Sequence, residues 1–150
     1  MLGGLFSNKS TAAVFVDYEH WYYGYKNIFA MRPNVEEWYK ELKEEYNVKS
    51  ITFFGDFHGS SIERDLERLE KLSKNVVHTA STKDGVDKDF TDFIILDAIY
   101  REAAKKNSPE VFIIFTGDAH FNLAIKYLRD FPSTIPDDHE KPLSKTKKFQ

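Results

Sequence analysis

The chain lacks several features that would place it in specialised classes of protein. It has no cysteine among its 150 residues, which excludes disulfides and fits a reducing compartment such as the cytoplasm. No apolar run approaches the ~20 residues of a membrane-spanning helix, and the first residues are too short and uncharged a stretch for a signal peptide. We therefore expect a cytoplasmic protein with no membrane partner.

An excess of basic charge is also missing. The formal net charge is −3, so the chain as a whole does not attract nucleic acid. Any binding of RNA or DNA must then depend on a local basic patch or on metal ions.

What the chain does contain is enough apolar material for a core. Hydrophobic residues make up 41% of the sequence and 13 residues are phenylalanine, which excludes wholesale disorder. The length suits one compact domain. We expect a loose leader over residues 1–11, the domain over residues 12–131, and a polar tail with prolines and lysines over residues 132–150.

Strand-like and helix-like segments alternate through the predicted domain. Apolar, β-rich runs predict strands over residues 12–17, 50–57, 75–80 and 110–118. Helical spacing of apolar residues predicts helices over residues 35–46, 60–72, 89–106 and 120–131. This alternation predicts an α/β fold: a doubly wound, mostly parallel sheet of about four strands with helices on both faces.

Aspartates follow the predicted strands at the edge where doubly wound sheets carry their chemistry. Three strands end in Asp17, Asp56 and Asp118. Asp92 is predicted in the first turn of the long helix, on the stripe that faces the sheet. Carboxylates crowded at one edge repel one another. A hard divalent cation, Mg²⁺ or Mn²⁺, removes this conflict and can activate a water for attack on a phosphate.

Each acid also has a purely structural explanation. Asp17 and Asp56 suit ordinary loops, Asp92 suits the positive end of its helix, and Asp118 suits an N-cap. Convergence of the four on one edge is what favours a metal site, and it depends on the fold.

Histidines, aromatics and lysines lie near the same edge in the sequence. His20 and His120 could bind metal, contact phosphate or move a proton, and Lys88 could contact phosphate. Trp21, together with tyrosines 22, 23 and 25, could stack on unpaired bases. Coverage of the sheet by a helix face is the favoured explanation of these aromatics.

Three motifs, in order along the chain, resemble those of NYN domains in the PIN-like nuclease superfamily. They are VFVDYEH at residues 14–20, DFTDF at 89–93 and FTGDAHF at 115–121. The resemblance covers about residues 12–131 and implies a sheet of strand order 3-2-1-4 with a divalent-metal endoribonuclease site. The acids of the family fall on Asp17, Asp92 and Asp118, with Asp87 as a rival match for the helix-top acid.

The chain departs from the family pattern at three points. His20 stands where many NYN domains have asparagine, and His120 stands where many have another aspartate. The second replacement either tunes the choice of metal or weakens catalysis. After Phe131 the sequence is polar and rich in proline, so we expect no fifth strand. An exposed edge beside the fourth strand would then favour a homodimer.

The sequence thus predicts a Mg²⁺- or Mn²⁺-dependent nuclease that cleaves single-stranded RNA. The expected metal ligands are Asp17, Asp92 and Asp118, with Asp56 as an outer ligand. His120 would take part in catalysis, and His20 and Lys88 would contact the substrate. The alternative is a catalytically weak or silent PIN-like module that binds RNA or a protein. A receiver-type phosphoacceptor domain is disfavoured, because the first strand lacks the adjacent pair of acids.

Overall fold

The structure, a computed structural model, describes residues 8–58, 61–79, 88–116 and 146–149. At residues 88–90 and 146–149 the backbone alone is described. The strands in these ranges are β1 (Thr11–Asp17), β2 (Asn47–Gly55), β3 (Asn75–His78), β4 (Val111–Phe115) and β5 (Thr146–Phe149). The α-helices are α1 (Tyr18–Phe29), α2 (Val35–Glu45), α3 (Leu66–Leu72) and α4 (Lys88–Ala103), and a 3₁₀ turn, Ser61–Asp65, precedes α3.

All five strands are parallel, in the order β3-β2-β1-β4-β5. The predicted α/β class and the order 3-2-1-4 are confirmed. β1 lies at the centre, and residues 12–16 are all buried because neighbouring strands and helices cover both sides. In the register, Asp17 faces Phe54 of β2 and Val16 faces Phe115 of β4, so the end of β1 lies between two neighbouring strand ends.

The expected absence of a fifth strand was wrong. β5 falls within the segment predicted as a polar tail and pairs along β4, from Phe112 opposite Thr146 to Phe115 opposite Phe149. Its sequence, TKKF, gives no apolar run, and lysine is a common residue of edge strands. The predicted exposed edge beside β4 is therefore covered. Homodimerisation stays a prediction, but the exposed edge of β4 no longer supports it.

Side chains alternate between two cores along the strands. Val14 and Val16 pack with α1, α2 and α3 on one face of the sheet. Phe15 packs on the other face with Ile95 and Ile99 of α4. The sheet is therefore covered on both faces, as the doubly wound prediction requires.

The aromatic run after β1 belongs to a helix that covers the sheet. Tyr22 is buried, and Trp21 packs against Trp38 of α2 and Phe115 of β4, with ring centroids 5.1 and 4.5 Å apart. The structural explanation is confirmed for Trp21, Tyr22 and Tyr23, which pack in the core on this face of the sheet. The predicted helix over residues 120–131 lies outside the described residues. No described helix has the length and hydropathy of a membrane span.

Candidate functional site

Asp17 occupies the junction between the central strand and the first helix. It ends β1 and caps α1, its Oδ1 accepting the backbone N–H of His20 at 3.2 Å. Only 7% of the residue is exposed. A carboxylate at the N-terminus of a helix is favoured by the helix dipole, so the fold stabilises a negative charge at this edge.

The end of β4 continues the same edge. Val16 pairs with Phe115, so the next residue, buried Thr116, lies level with Asp17 along the strands. Asp118 follows Thr116 by two residues. Asp118 and His120 lie outside the described residues, and their roles stay predictions.

Asp92 lies on the helix that covers the second face of the sheet. α4 begins at Lys88, so Asp92 lies at the start of its second turn. The prediction, which started the helix at Asp89, had placed Asp92 in the first turn. It shares a stripe with buried Ile95 and Ile99 and is itself half-buried. Because α4 runs from the end of β3 towards the start of β4, its first turns lie towards the carboxyl edge of the sheet.

Asp97, five residues further along α4, shows how an ordinary surface acid differs from Asp92. It is exposed and accepts Arg101 Nε at 2.8 Å, one helical turn away. It provides a matched control for experiments on Asp92.

Asp56 lies just after β2, beside the end of β1. Its Oδ1 accepts the backbone N–H of His58 at 3.3 Å, and its own backbone N–H donates to Glu19 Oε2 at 3.2 Å. Asp56 therefore shapes the turn that leaves the sheet, an arrangement compatible with its predicted place in an outer shell of ligands.

Glu19 is an acid of this edge to which the sequence analysis gave no role. It is half-buried in the first turn of α1 and links that helix to the turn after β2. The available signal was its place two residues after a strand-end aspartate, within the first motif.

Of the two predicted substrate contacts, the structure describes the whole of His20 but only the backbone of Lys88. His20 is the third residue of α1 and is exposed, three residues from Asp17. The backbone of Lys88 opens α4, and its side chain lies outside the described part of the structure.

A second buried acid anchors the helix that begins after Asp17. The hydroxyl of fully buried Tyr18 donates to Asp65 Oδ2, and Arg32 Nη2 donates to Asp65 Oδ1. Arg68 lies 3.8 Å from the same carboxylate and forms a two-pronged ion pair with Glu36. Burial and the neighbouring Asp65 raise the pKa of the Tyr18 phenol well above its ordinary value.

The predicted donors suit a hard cation. All four predicted ligands are carboxylates, the ligand type that Mg²⁺ and Mn²⁺ prefer. Among the side chains described within residues 8–58, 61–79 and 91–116, no three Asp, Glu or His residues form a metal-binding group. The predicted set includes Asp118, so the described ranges contain only part of it.

Comparison with known proteins adds two findings and one absence. The model of the NYN domain family matches residues 11–134. A solved structure of a protein of unknown function from Vibrio parahaemolyticus superposes with a TM-score of 0.71 at 16% identity, over 95% of this chain and 82% of that one. This likeness shows a shared fold. No curated protein matches the sequence.

Proposed function

The chain belongs to the NYN domain family, and from that premise we propose that it is a divalent-metal-dependent endoribonuclease acting on single-stranded RNA. The NYN domain belongs to the PIN-like superfamily, and NYN domains are generally nucleases. The observation that carries the proposal is the position of Asp17. This buried carboxylate ends the central strand, at the edge towards which the first turns of α4 and Asp92 also lie.

In this proposal the acids divide into direct and outer ligands. Asp17, Asp92 and Asp118 hold Mg²⁺ or Mn²⁺, and Asp56 orients a water in the outer shell. These residues would hold the ion, and its chemistry when bound would be polarisation of the scissile phosphate and activation of a water for in-line attack.

The remaining residues act on the substrate. His20 is exposed on the first turn of α1 and contacts a phosphate oxygen of the RNA. Lys88 contributes a second phosphate contact, and His120 moves a proton at the reacting phosphate. An RNA strand meets several carboxylates at this edge, so the phosphate contacts must offset the repulsion, and the cation strengthens binding further.

The test compares two acids of one helix. Cleavage of an end-labelled single-stranded RNA is measured in Mn²⁺ for the wild type, Asp92→Asn and the control Asp97→Asn. We expect Asp92→Asn to lose about 100-fold or more in rate, the order of loss when a charge-stabilising group is removed from an active site. Asp97→Asn should cleave as the wild type does, because Asp97 pairs with Arg101 on the surface.

One double variant tests the strand-end acids directly. The double variant Asp17→Asn, Asp118→Asn should be inactive while unfolding at nearly the wild-type temperature. Cleavage at the wild-type rate by that double variant would refute the proposal.

A further inference from the structure

We infer that the carboxyl edge carries a second, base-stacking subsite, formed by His58 and His78, which holds an unpaired base of the RNA strand. The inference rests on the proposed function and extends the substrate path from the end of β1 to the ends of β2 and β3. None of the roles derived above uses either histidine.

The two imidazoles already form a stack. Their ring centroids lie 4.4 Å apart with an interplanar angle of 18°. Both residues are exposed, so the pair lies at the surface and outside both cores. A flat pair of rings at a surface offers a π-face on which a base can stack, whatever the base.

Buried neighbours hold the stack in place. Phe57 is fully buried and meets the ring of His78 edge-on, at 5.4 Å and 89°. His78 ends β3 opposite Gly55, and the hydrogen bond from Thr79 N–H to Gly55 O extends this pairing by one residue at 3.0 Å. Because buried neighbours fix the two imidazole rings, stacking a nucleobase on them costs little conformational entropy.

The pair is also tied to the proposed nuclease site. Asp56 Oδ1 accepts the backbone N–H of His58, and the backbone N–H of Asp56 binds Glu19 in the first turn of α1. β3 lies two strands from β1, so the end of β3 is roughly 10 Å from the end of β1 across the sheet. A nucleotide near the scissile phosphate can therefore reach the stack.

Imidazole is a suitable ring at this edge. Glu19 and Asp56 already supply negative charge at this edge, and an acidic side chain in place of either histidine would add to the repulsion of the RNA phosphates. An imidazole ring adds no negative charge. A stacking contact binds the base and leaves the phosphate free to meet the proposed metal ligands.

The test measures binding without cleavage. A single-stranded RNA with one 2-aminopurine is titrated with the full chain in excess EDTA, by fluorescence anisotropy and by quenching of the base analogue. We expect His58→Ala to weaken binding about 5- to 150-fold, the range for loss of one base–aromatic stack. We expect it also to abolish the quenching. His58→Phe, which keeps a flat ring, should retain both.

Three controls keep the result specific. His78→Ala should act in the same direction as His58→Ala, and circular dichroism should show that both variants fold. An abasic strand of the same length, which offers no base at any position, should bind wild type and His58→Ala alike. Equal affinity of wild type and His58→Ala for the intact RNA, weakening by His58→Phe equal to that by His58→Ala, or no binding by the wild type would each overturn the inference.

The same preparation separates this inference from the proposed nuclease activity. Addition of Mn²⁺ tests cleavage after binding has been measured. Histidine-dependent binding with no cleavage supports the stacking subsite and argues against the nuclease. Cleavage with no effect of either histidine on binding does the opposite.

Discussion

Two buried aspartates in this protein are held in different ways. Asp65 is fully buried and accepts hydrogen bonds from two residues that are distant in the sequence, Tyr18 and Arg32, while Arg68, one helical turn away, lies 3.8 Å from it. Asp17 is 7% exposed and caps the helix that directly follows it, through a backbone N–H three residues away. Asp65 thus joins α1, the segment before α2, and α3, whereas Asp17 lies where the central strand meets the edge of the sheet.

The difference separates a charge that holds the fold together from one placed at the candidate site. Removing one member of a buried ion pair costs about 3–5 kcal/mol, because the partners stay buried without compensation. Removing a helix cap costs about 0.5–2 kcal/mol. Substitution of Asp65 should therefore lower the free energy of unfolding more than substitution of Asp17 does. For nuclease activity we expect the opposite order.

The largest expected effect is on stability, from Asp65→Ala. This variant should lose about 3 kcal/mol, the lower end of the range for a broken buried pair, because the Arg32 side chain is half-exposed and regains water. The measurement is the urea midpoint at neutral pH. Asp97→Ala, which breaks the exposed pair with Arg101, is the control and should lose under ~0.5 kcal/mol. Equal midpoints for the two variants would contradict the structural role of Asp65.

Variants of Asp17 should show the reverse order. Asp17→Asn keeps a side-chain oxygen for the His20 N–H and should stay within about 0.5 kcal/mol of the wild type, since both residues are good N-caps. Asp17→Ala should lose about 1 kcal/mol. On the proposed function both lose nuclease activity. If Asp17→Asn unfolded as readily as Asp65→Ala, Asp17 would be primarily structural.

The comparison also shows what could be predicted from the sequence. β1 was predicted because a central parallel strand is buried on both faces and appears as an unbroken apolar run. β5 was not, because TKKF pairs with an edge that β4 provides and carries no pattern of its own. The pattern of apolar residues along the sequence identifies strands that are fully buried. It does not identify a short strand that forms only because a neighbouring strand offers an edge to pair with.

The buried aspartates and the histidine stack divide in the same way. Asp17 was identified because strand and helix are adjacent in the sequence at that point. The burial of Asp65 depends on Tyr18, 47 residues earlier, and on Arg32, and no local spacing shows this. The stack of His58 on His78 follows from the pairing of β2 with β3, which brings residues 20 positions apart to one edge.

A smaller loss at neutral pH than that of Asp65→Ala should come from Tyr18→Phe, which removes only one donor from Asp65. The loss should be about 1.5 kcal/mol, the lower end of the range for a hydrogen bond to a charged group. Because burial and Asp65 raise the pKa of Tyr18, the folded state favours the protonated phenol. This stabilisation is complete below the ordinary tyrosine pKa of about 10, and it falls at higher pH as the unfolded chain releases the proton.

The Tyr18→Phe variant has no phenolic proton at this position, so the amount by which it is less stable than the wild type must change with pH. The difference between the two urea midpoints should shrink as the pH rises from about 9 to about 11. A constant difference across that range would mean that Tyr18 titrates alike in the folded and unfolded chains. The contact between Tyr18 and Asp65 would then contribute to packing alone, and the contrast between the two aspartates would rest on the arginines.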